Sequence, residues 1–495
     1  MASIPPGYSS RLYNEDIAPR EGEGTWKTWN LFAWWMSCWH SLAGYTMAIG
    51  LLVLGLTGWQ MALGLSLGVV VIYFASNLMG VAGQKVGVPF PVFSRASFGV
   101  FGANIPSLLR AFVAVAWYGI QTYLASAAVM LLVLKVLPGS KTLTESSFLG
   151  LSALGWICFL ILWAAQLVVL HRGMETVRRL SDFAGPSIWI AMIALAIWTL
   201  ARANWTLDWN YHVGAAPLSL SSSIVPVLSA VSLTCAFMAG PMLNFADFTR
   251  FSPDKKSVVN GNRLGLLLNG VAFCVVSVVI ALASVKVYGK AVSDPIELLG
   301  DIDSVTILLI AIITIGIATI GINIIANFVS PSYGFANVLP KYISFRTGGI
   351  ITALLALLVM PWNLYSNPIV INLFIGGVGA LMGPIFGIMM ADYYLIRKAQ
   401  VDPHSLYSDA PNGRYFYSRG TNLNSVISIA ISGAITLCVA LMPVFESLAT
   451  FSWPIGVALG GLSCLLINRL RPNVHARAAD MLAEASDLNV ETNKV

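Results

Sequence analysis

Charge is scarce in this chain, and so is every grouping of side chains that performs covalent chemistry. Of 495 residues, 10% are Asp, Glu, Lys or Arg, while 57% are hydrophobic. Soluble domains carry roughly 25% charged residues, so this composition excludes an ordinary soluble enzyme. Mean hydropathy is +0.77. The six cysteines (Cys38, Cys158, Cys235, Cys274, Cys438, Cys464) form no CxxC pair and all fall in apolar segments. They read as small buried hydrophobes, which argues against a disulfide framework and against a metal site. The absence of a Walker-type glycine run argues against direct use of ATP. No cluster of His, Asp and Glu lies within the apolar segments, so a membrane enzyme is not expected either.

What is present is length of apolar sequence. A bilayer core needs about 20 apolar residues per helix. Twelve blocks qualify, at 29–52, 57–81, 103–133, 149–170, 184–202, 220–245, 264–288, 304–331, 347–366, 371–396, 423–445 and 450–468. The 28 Lys and Arg residues alternate in density between the gaps. Five (Lys135, Lys141, Arg202, Lys286, Lys290) belong to one side; the other 23 lie in the tails, in the remaining gaps or at their helix edges, Arg95 and Arg110 among them. The positive-inside rule then places both termini in the cytoplasm. Dispersed basic residues of this kind orient a protein in a lipid bilayer; a nucleic-acid partner would want them clustered on one face. Residues 1–28 and 469–495 read as polar cytoplasmic tails, the first without the features of a cleaved signal peptide.

A helix breaks inside a membrane only where protein or water satisfies its backbone. Two breaks are expected. The first block reads Trp35-Met36-Ser37-Cys38-Trp39-His40-Ser41-Leu42-Ala43-Gly44-Tyr45-Thr46, and the sixth reads Phe237-Met238-Ala239-Gly240-Pro241-Met242-Leu243-Asn244. Pro241 removes a backbone donor and Gly240 makes unwinding cheap. Paired interruptions opening two halves point to a transporter site, although glycine and proline also serve tight helix packing. The expected fold is all-α: helices 1–5 over 29–202, an inverted second repeat over 220–396, and two further helices over 423–468.

Polar side chains within the spans are few and therefore informative. Trp117 and Gln121 are four apart and share a helix face, as do Asn323 and Asn327. An indole offers a stacking face, and a Gln amide matches a cyclic –CO–NH– edge. Together they suggest a planar, neutral, amide-bearing ligand, with Asn327 completing another edge. Trp117 alone would read as a packing residue, one of fifteen tryptophans. Gln166 and Asn269 read as polar links between helices.

Several ordered stretches carry a family resemblance: Pro89-Phe90-Pro91-Val92, Arg95-Ala96-Ser97-Phe98-Gly99, Gly102-Ala103-Asn104-Ile105-Pro106, Trp117-Tyr118-Gly119-Ile120-Gln121-Thr122, Asn244-Phe245-Ala246-Asp247-Phe248-Thr249-Arg250, Ala326-Asn327-Phe328-Val329-Ser330-Pro331 and Met389-Met390-Ala391-Asp392-Tyr393-Tyr394. From about Asn14 to about Pro472 the chain resembles the nucleobase–cation symporter family, particularly its bacterial allantoin and hydantoin branch. The resemblance implies uptake of allantoin, hydantoin, uracil or a related compound across a bacterial inner membrane by alternating access; a monomer is expected, although the sequence leaves the oligomeric state open. It assigns Trp117 to stacking and Gln121 and Asn327 to hydrogen bonds with the substrate. It places Ser41 where relatives carry Asn or Gln, and Phe237 where the hydantoin branch often carries Trp.

For a coupling cation, Na+ or H+, the resemblance points to the backbone at Ser37, His40 and Ala318 and to hydroxyls at two positions that here are Gly321 and Ile322. Ile322 offers no ligand to a hard ion that wants oxygen. His40 is the proton-carrying candidate, and it reads equally well as a neutral packed residue. No other cofactor is expected. Alternatives to symport are ion-independent facilitation and a substrate-sensing receptor.

Overall fold

A computed structural model describes residues 4–170, 174–213, 218–292, 295–365 and 368–472. With no water in the bilayer core, backbone groups must bond within the protein, and this chain does so almost wholly as helix. The membrane helices are α1 (Thr28–Trp39), α2 (Leu42–Gly50), α3 (Gly58–Val86), α4 (Asn104–Val136), α5 (Ala153–Leu170), α6 (Met174–Arg202) and α7 (Leu220–Leu243). They continue with α8 (Asn269–Tyr288), α9 (Val305–Ile322), α10 (Phe345–Leu358), α11 (Pro368–Met390), α12 (Leu423–Leu441) and α13 (Ser452–Leu470). A two-residue hairpin pairs Ser147–Phe148 with Leu151–Ser152 before α5.

Among the described residues, nine helices are long and apolar enough to cross a membrane, and the bent pair α1–α2 raises that to ten. Two shorter apolar helices, Ala153–Val168 and Phe345–Leu358, stand where the fourth and ninth crossings were expected. Helix α3 packs on α7, α1 on α6, α6 on α9, and α11 on α12 and α13. Small residues set these distances: a Cβ added at Gly68 would lie 2.8 Å from Cβ of Thr234, so α3 and α7 meet at backbone range.

The first interruption falls where the sequence places it. Helix α1 ends at Trp39, and α2 starts at Leu42, bent by 57°. Ser41 is extended (φ −87°, ψ 153°) and its Oγ accepts from Gly44 N at 3.0 Å, a serine N-cap. The sixth interruption comes at the end of the expected stretch and not at Gly240–Pro241. Helix α7 continues through Pro226 and Pro241 to Leu243, and the chain leaves helix at Asn244–Phe245 before a short turn, Ala246–Thr249. The proline removes the donor to the Phe237 carbonyl, yet helical bonding resumes past it: the carbonyl of Gly240 accepts from Asn244 N at 3.2 Å and also from Arg110 Nε at 3.2 Å. Helix α9 passes into a π turn at Asn323–Phe328 and then Val329–Val338.

The amino-terminal segment, read from sequence as a polar tail, is docked. Leu12, Ile17 and Trp26 are buried. Asn14 donates to the carbonyls of Pro340 and Ile343, and Phe345 N donates to Asp16 Oδ2. Arg250 donates to the carbonyls of Asp16 and Ala18. The 400–420 loop completes this floor: Tyr407 donates to the Ile17 carbonyl at 2.5 Å and stacks on Tyr8, with ring centroids 4.8 Å apart. Burial pushes the Tyr407 phenol up in pKa, which keeps it a neutral donor.

Candidate functional site

A cavity of about 30 Å³ lies beside the first helix interruption. Ser41, Trp117, Phe237, Gln121 and Asn327 all line it, joined by Cys38, Met238, Pro241, Ile322 and Ala326. Four elements contribute: the end of α1 with its break, α4, α7, and α9 with its π turn. No lining residue is charged. Two larger clefts, of about 510 and 440 Å³, run along the docked tail and carry charged residues such as Arg20, Glu21 and Lys341.

The aromatic wall is contracted. The rings of Trp117 and Phe237 meet edge to face, centroids 5.2 Å apart at 82°. Phe374 of α11 packs against Trp117 at 5.1 Å. Contact between stacked carbon atoms needs about 3.5–4.0 Å on each face, so a ring inserted between Trp117 and Phe237 must move them apart. The cavity itself has room for water but is far below the roughly 300 Å³ or more of a pocket that takes a small-molecule ligand.

The polar wall is specific about hydrogen bonding. Asn323 Nδ2 faces the carbonyl of Tyr118 (2.9 Å), Thr122 Oγ1 (3.0 Å) and Gln166 Oε1 (2.8 Å). A carbonyl only accepts, which fixes that amide's orientation. Its Oδ1 then takes the Asn327 Nδ2 donor at 3.0 Å. Asn327 is thus held by a chain of polar groups on three helices, and its own Oδ1 is left over. Gln121 is 4% exposed and its Oε1 is buried with no hydrogen-bond partner. Ser41 spends a lone pair on its cap and keeps its hydroxyl hydrogen. The wall therefore offers acceptors at Gln121 and Asn327 and donors at Ser41 and Gln121 Nε2. Gln166 and Asn269 do link helices: Gln166 also donates to Thr122, and Asn269 binds His40.

The residues proposed for a cation behave differently. His40 is fully buried; its Nε2 lies 2.9 Å from Asn269 Oδ1 and its Nδ1 lies 2.6 Å from the Tyr45 hydroxyl. Asn269 Nδ2 donates to the Gly265 carbonyl, so its Oδ1 faces His40 and Nε2 carries the hydrogen. Both ring nitrogens of a neutral imidazole are then used. At Gly321 an added Cβ would fall 2.3 Å from Cβ of Ala184. A methyl group of α6 thus occupies the place where a hydroxyl side chain would begin. Ile322 lines the aromatic cavity instead. The surroundings of Ala318 lie outside the described residues. Ser37 Oγ and Thr319 Oγ1 are buried without hydrogen-bond partners. Neither Gly321 nor Ile322 carries a side-chain oxygen, so the hydroxyl part of the expected sodium site is lacking.

Sequence reasoning, which set Met238 beside Phe237, missed Cys38, Pro241 and Ala326 as lining residues. Their neighbours in sequence, Ser41, Phe237 and Asn327, are the signal that could have found them. Arg110 was counted as a charge at a membrane edge, yet it is 1% exposed.

A family model described as a permease for cytosine/purines, uracil, thiamine and allantoin matches residues 19–456. The allantoin permease of Bacillus subtilis (strain 168) is 36% identical over 471 residues, covering 94% of each chain. A putative allantoin permease of Escherichia coli (strain K12) is 30% identical over 466 residues, 93% of this chain and 96% of that one. Among solved structures, a nucleobase-cation-symport-1 family transporter in a closed conformation with bromovinylhydantoin bound superposes with a TM-score of 0.73. It is 22% identical, over 95% of this chain and 99% of that one, a likeness of fold.

Proposed function

The chain belongs to the permease family for cytosine/purines, uracil, thiamine and allantoin, and we propose that it takes up a neutral cyclic ureide or nucleobase-like compound by alternating access. One observation carries the choice of ligand. Gln121, whose amide oxygen is buried without a partner, lines a cavity that also holds Trp117. An unmet buried acceptor costs about 1–3 kcal/mol, and a ring N–H at this position removes that cost. A second N–H reaches Asn327 Oδ1, and a ring carbonyl accepts from Ser41 or Gln121 Nε2. Repeated –NH–CO– edges, as in allantoin, hydantoin and uracil, supply this pattern without charge. Trp117 and Phe237 part to take the two faces of the ring.

Binding thus expands a contracted site, and the resulting strain on α4, α7 and α9 is what drives the exchange of access. In this proposal α1–α13 make twelve crossings with both termini cytoplasmic, in the inner membrane of a bacterium, as a monomer. Uptake is coupled to a cation other than sodium at the junction of α1 and α9. Ion-independent facilitation has one observation in its favour, the shortage of oxygen ligands there. Transport of a nucleic acid or action as an enzyme is no part of the proposal.

Thermal stabilisation of the purified protein by allantoin, hydantoin, uracil, cytosine, adenine and an amino-acid control tests the ligand. One neutral cyclic amide should stabilise selectively. Stabilisation by the amino acid alone, or by none of the rings, rejects the assignment. Binding without flux in sealed vesicles would identify a receptor. Flux that needs no proton or sodium gradient would identify a facilitator.

A further inference from the structure

Arg110 lies on α4, seven residues and about 10 Å before Trp117. It is buried, and among the described residues it forms no ion pair. A buried cation inside a membrane protein demands a function or a set of compensating dipoles, and here the dipoles are unusual. Nε donates to the Gly240 carbonyl (3.2 Å) and to Asn244 Oδ1 (3.1 Å). Nη2 donates to Asn244 Oδ1 (2.9 Å) and to the Ala326 carbonyl (3.1 Å). Nη1 has no partner.

These acceptors sit next to departures from regular helix. Gly240 and Asn244 lead into the interruption that ends α7, and Ala326 lies in the π turn that follows α9. π turns release carbonyls from the helical ladder and recur at functional sites. Both acceptor groups also adjoin the cavity: Pro241 follows Gly240, Asn327 follows Ala326, and Ala326 itself lines it. One guanidinium therefore joins α4, α7 and α9 directly beneath the place where Trp117, Phe237 and Asn327 must move. Asn244 Nδ2 extends the network to Asp247, which in turn accepts from Phe90 N.

We propose that Arg110 is the latch of the cytoplasmic gate: it holds α7 against α9 below the cavity, and inward opening requires it to give up one of the two. The idle Nη1 is the donor that re-pairs when one set of carbonyls departs. This rests on the alternating-access reading above and adds the residue that links cavity expansion to the inner side. Arg110 touches no ligand; it is a positioning residue.

The test uses Cys38, which lines the cavity. A membrane-impermeant maleimide is applied to inside-out and right-side-out vesicles, and Cys38 alkylation is read by peptide mapping. Arg110→Gln should accelerate labelling from the cytoplasmic side by about tenfold, the scale of one lost charge-assisted hydrogen bond, without accelerating it from the other side. Net uptake should fall, ligand stabilisation should persist, and Arg110→Lys should restore part of the wild-type labelling. Asn244→Ala, which removes only the α7 side-chain acceptor, should shift labelling in the same direction and serves if Arg110→Gln does not reach the membrane. Wild-type labelling in the variant that does reach the membrane overturns the proposal. So does equal acceleration from both sides, which would mean general loosening. If wild-type protein binds no ring yet Arg110→Gln still shifts the sidedness, the substrate assignment fails and the latch stands.

Discussion

The His40–Ser41 interruption borders two places, the aromatic cavity and the junction of α1 with α9. At the first, five side chains of matching chemistry converge from four elements. At the second, the two expected side-chain hydroxyls are missing, and at Gly321 a neighbouring helix has filled the space. The difference is one of what makes each kind of site. A heterocycle is held by side-chain faces and amide edges. A small cation is held by backbone carbonyls and by the room left around them. Gly321 looks permissive by itself, but Ala184 of α6 makes it the least permissive position there.

The comparison can be broken at the cavity first. Trp117→Ala removes a whole stacking face and should raise the Kd of the preferred ring about 10- to 100-fold, the range of one base–aromatic stack. Equal binding by the variant and the parent would separate Trp117 from the ligand. Gln121→Ala should cost about five- to tenfold, read by calorimetry. The loss should vanish for an N-methylated ring that has no hydrogen to give Oε1; a uniform loss across both ligands would make Gln121 a packing residue.

At the cation position the expected effects are smaller, and they concern stability. Gly321→Ser should overpack α6 against α9 and destabilise the protein by about 1–3 kcal/mol, seen as a lower Tm. Adding Ala184→Gly should recover most of it. A Gly321→Ser protein as stable as wild type, with sodium-stimulated uptake, would show that α6 yields and that an ion site is one substitution away. Replacing sodium by choline in the parent should change uptake by less than about twofold, a difference worth under 0.5 kcal/mol. A larger loss would direct attention to the unpartnered hydroxyls of Ser37 and Thr319, and Thr319→Val would then abolish it.

The parts legible in sequence are those that a short segment decides for itself. The break at His40–Ser41 is one: Ser41 caps the next helix with its own side chain. Trp117 and Gln121 share a helix face by spacing alone. The parts that were not legible depend on a distant partner. Pro241 announces a missing donor, but the guanidinium that joins the Gly240 carbonyl beside it comes from residue 110. Arg110 itself looks like an edge charge because counting assigns each cation to the nearer membrane face. The docked tail is hidden for a similar reason. Leu12, Ile17 and Trp26 are isolated among polar residues, and the loops that cover them are hundreds of positions away in sequence.

The contracted cavity also bears on the membrane around it. Its roughly 30 Å³ has room for water but not for a substrate ring. A cavity so small, with the guanidinium network and the docked tail on one side of it, leaves no room for a continuous file of water along which protons could hop or ions slip. A site built this way would keep the membrane closed to ions while it waits for a substrate.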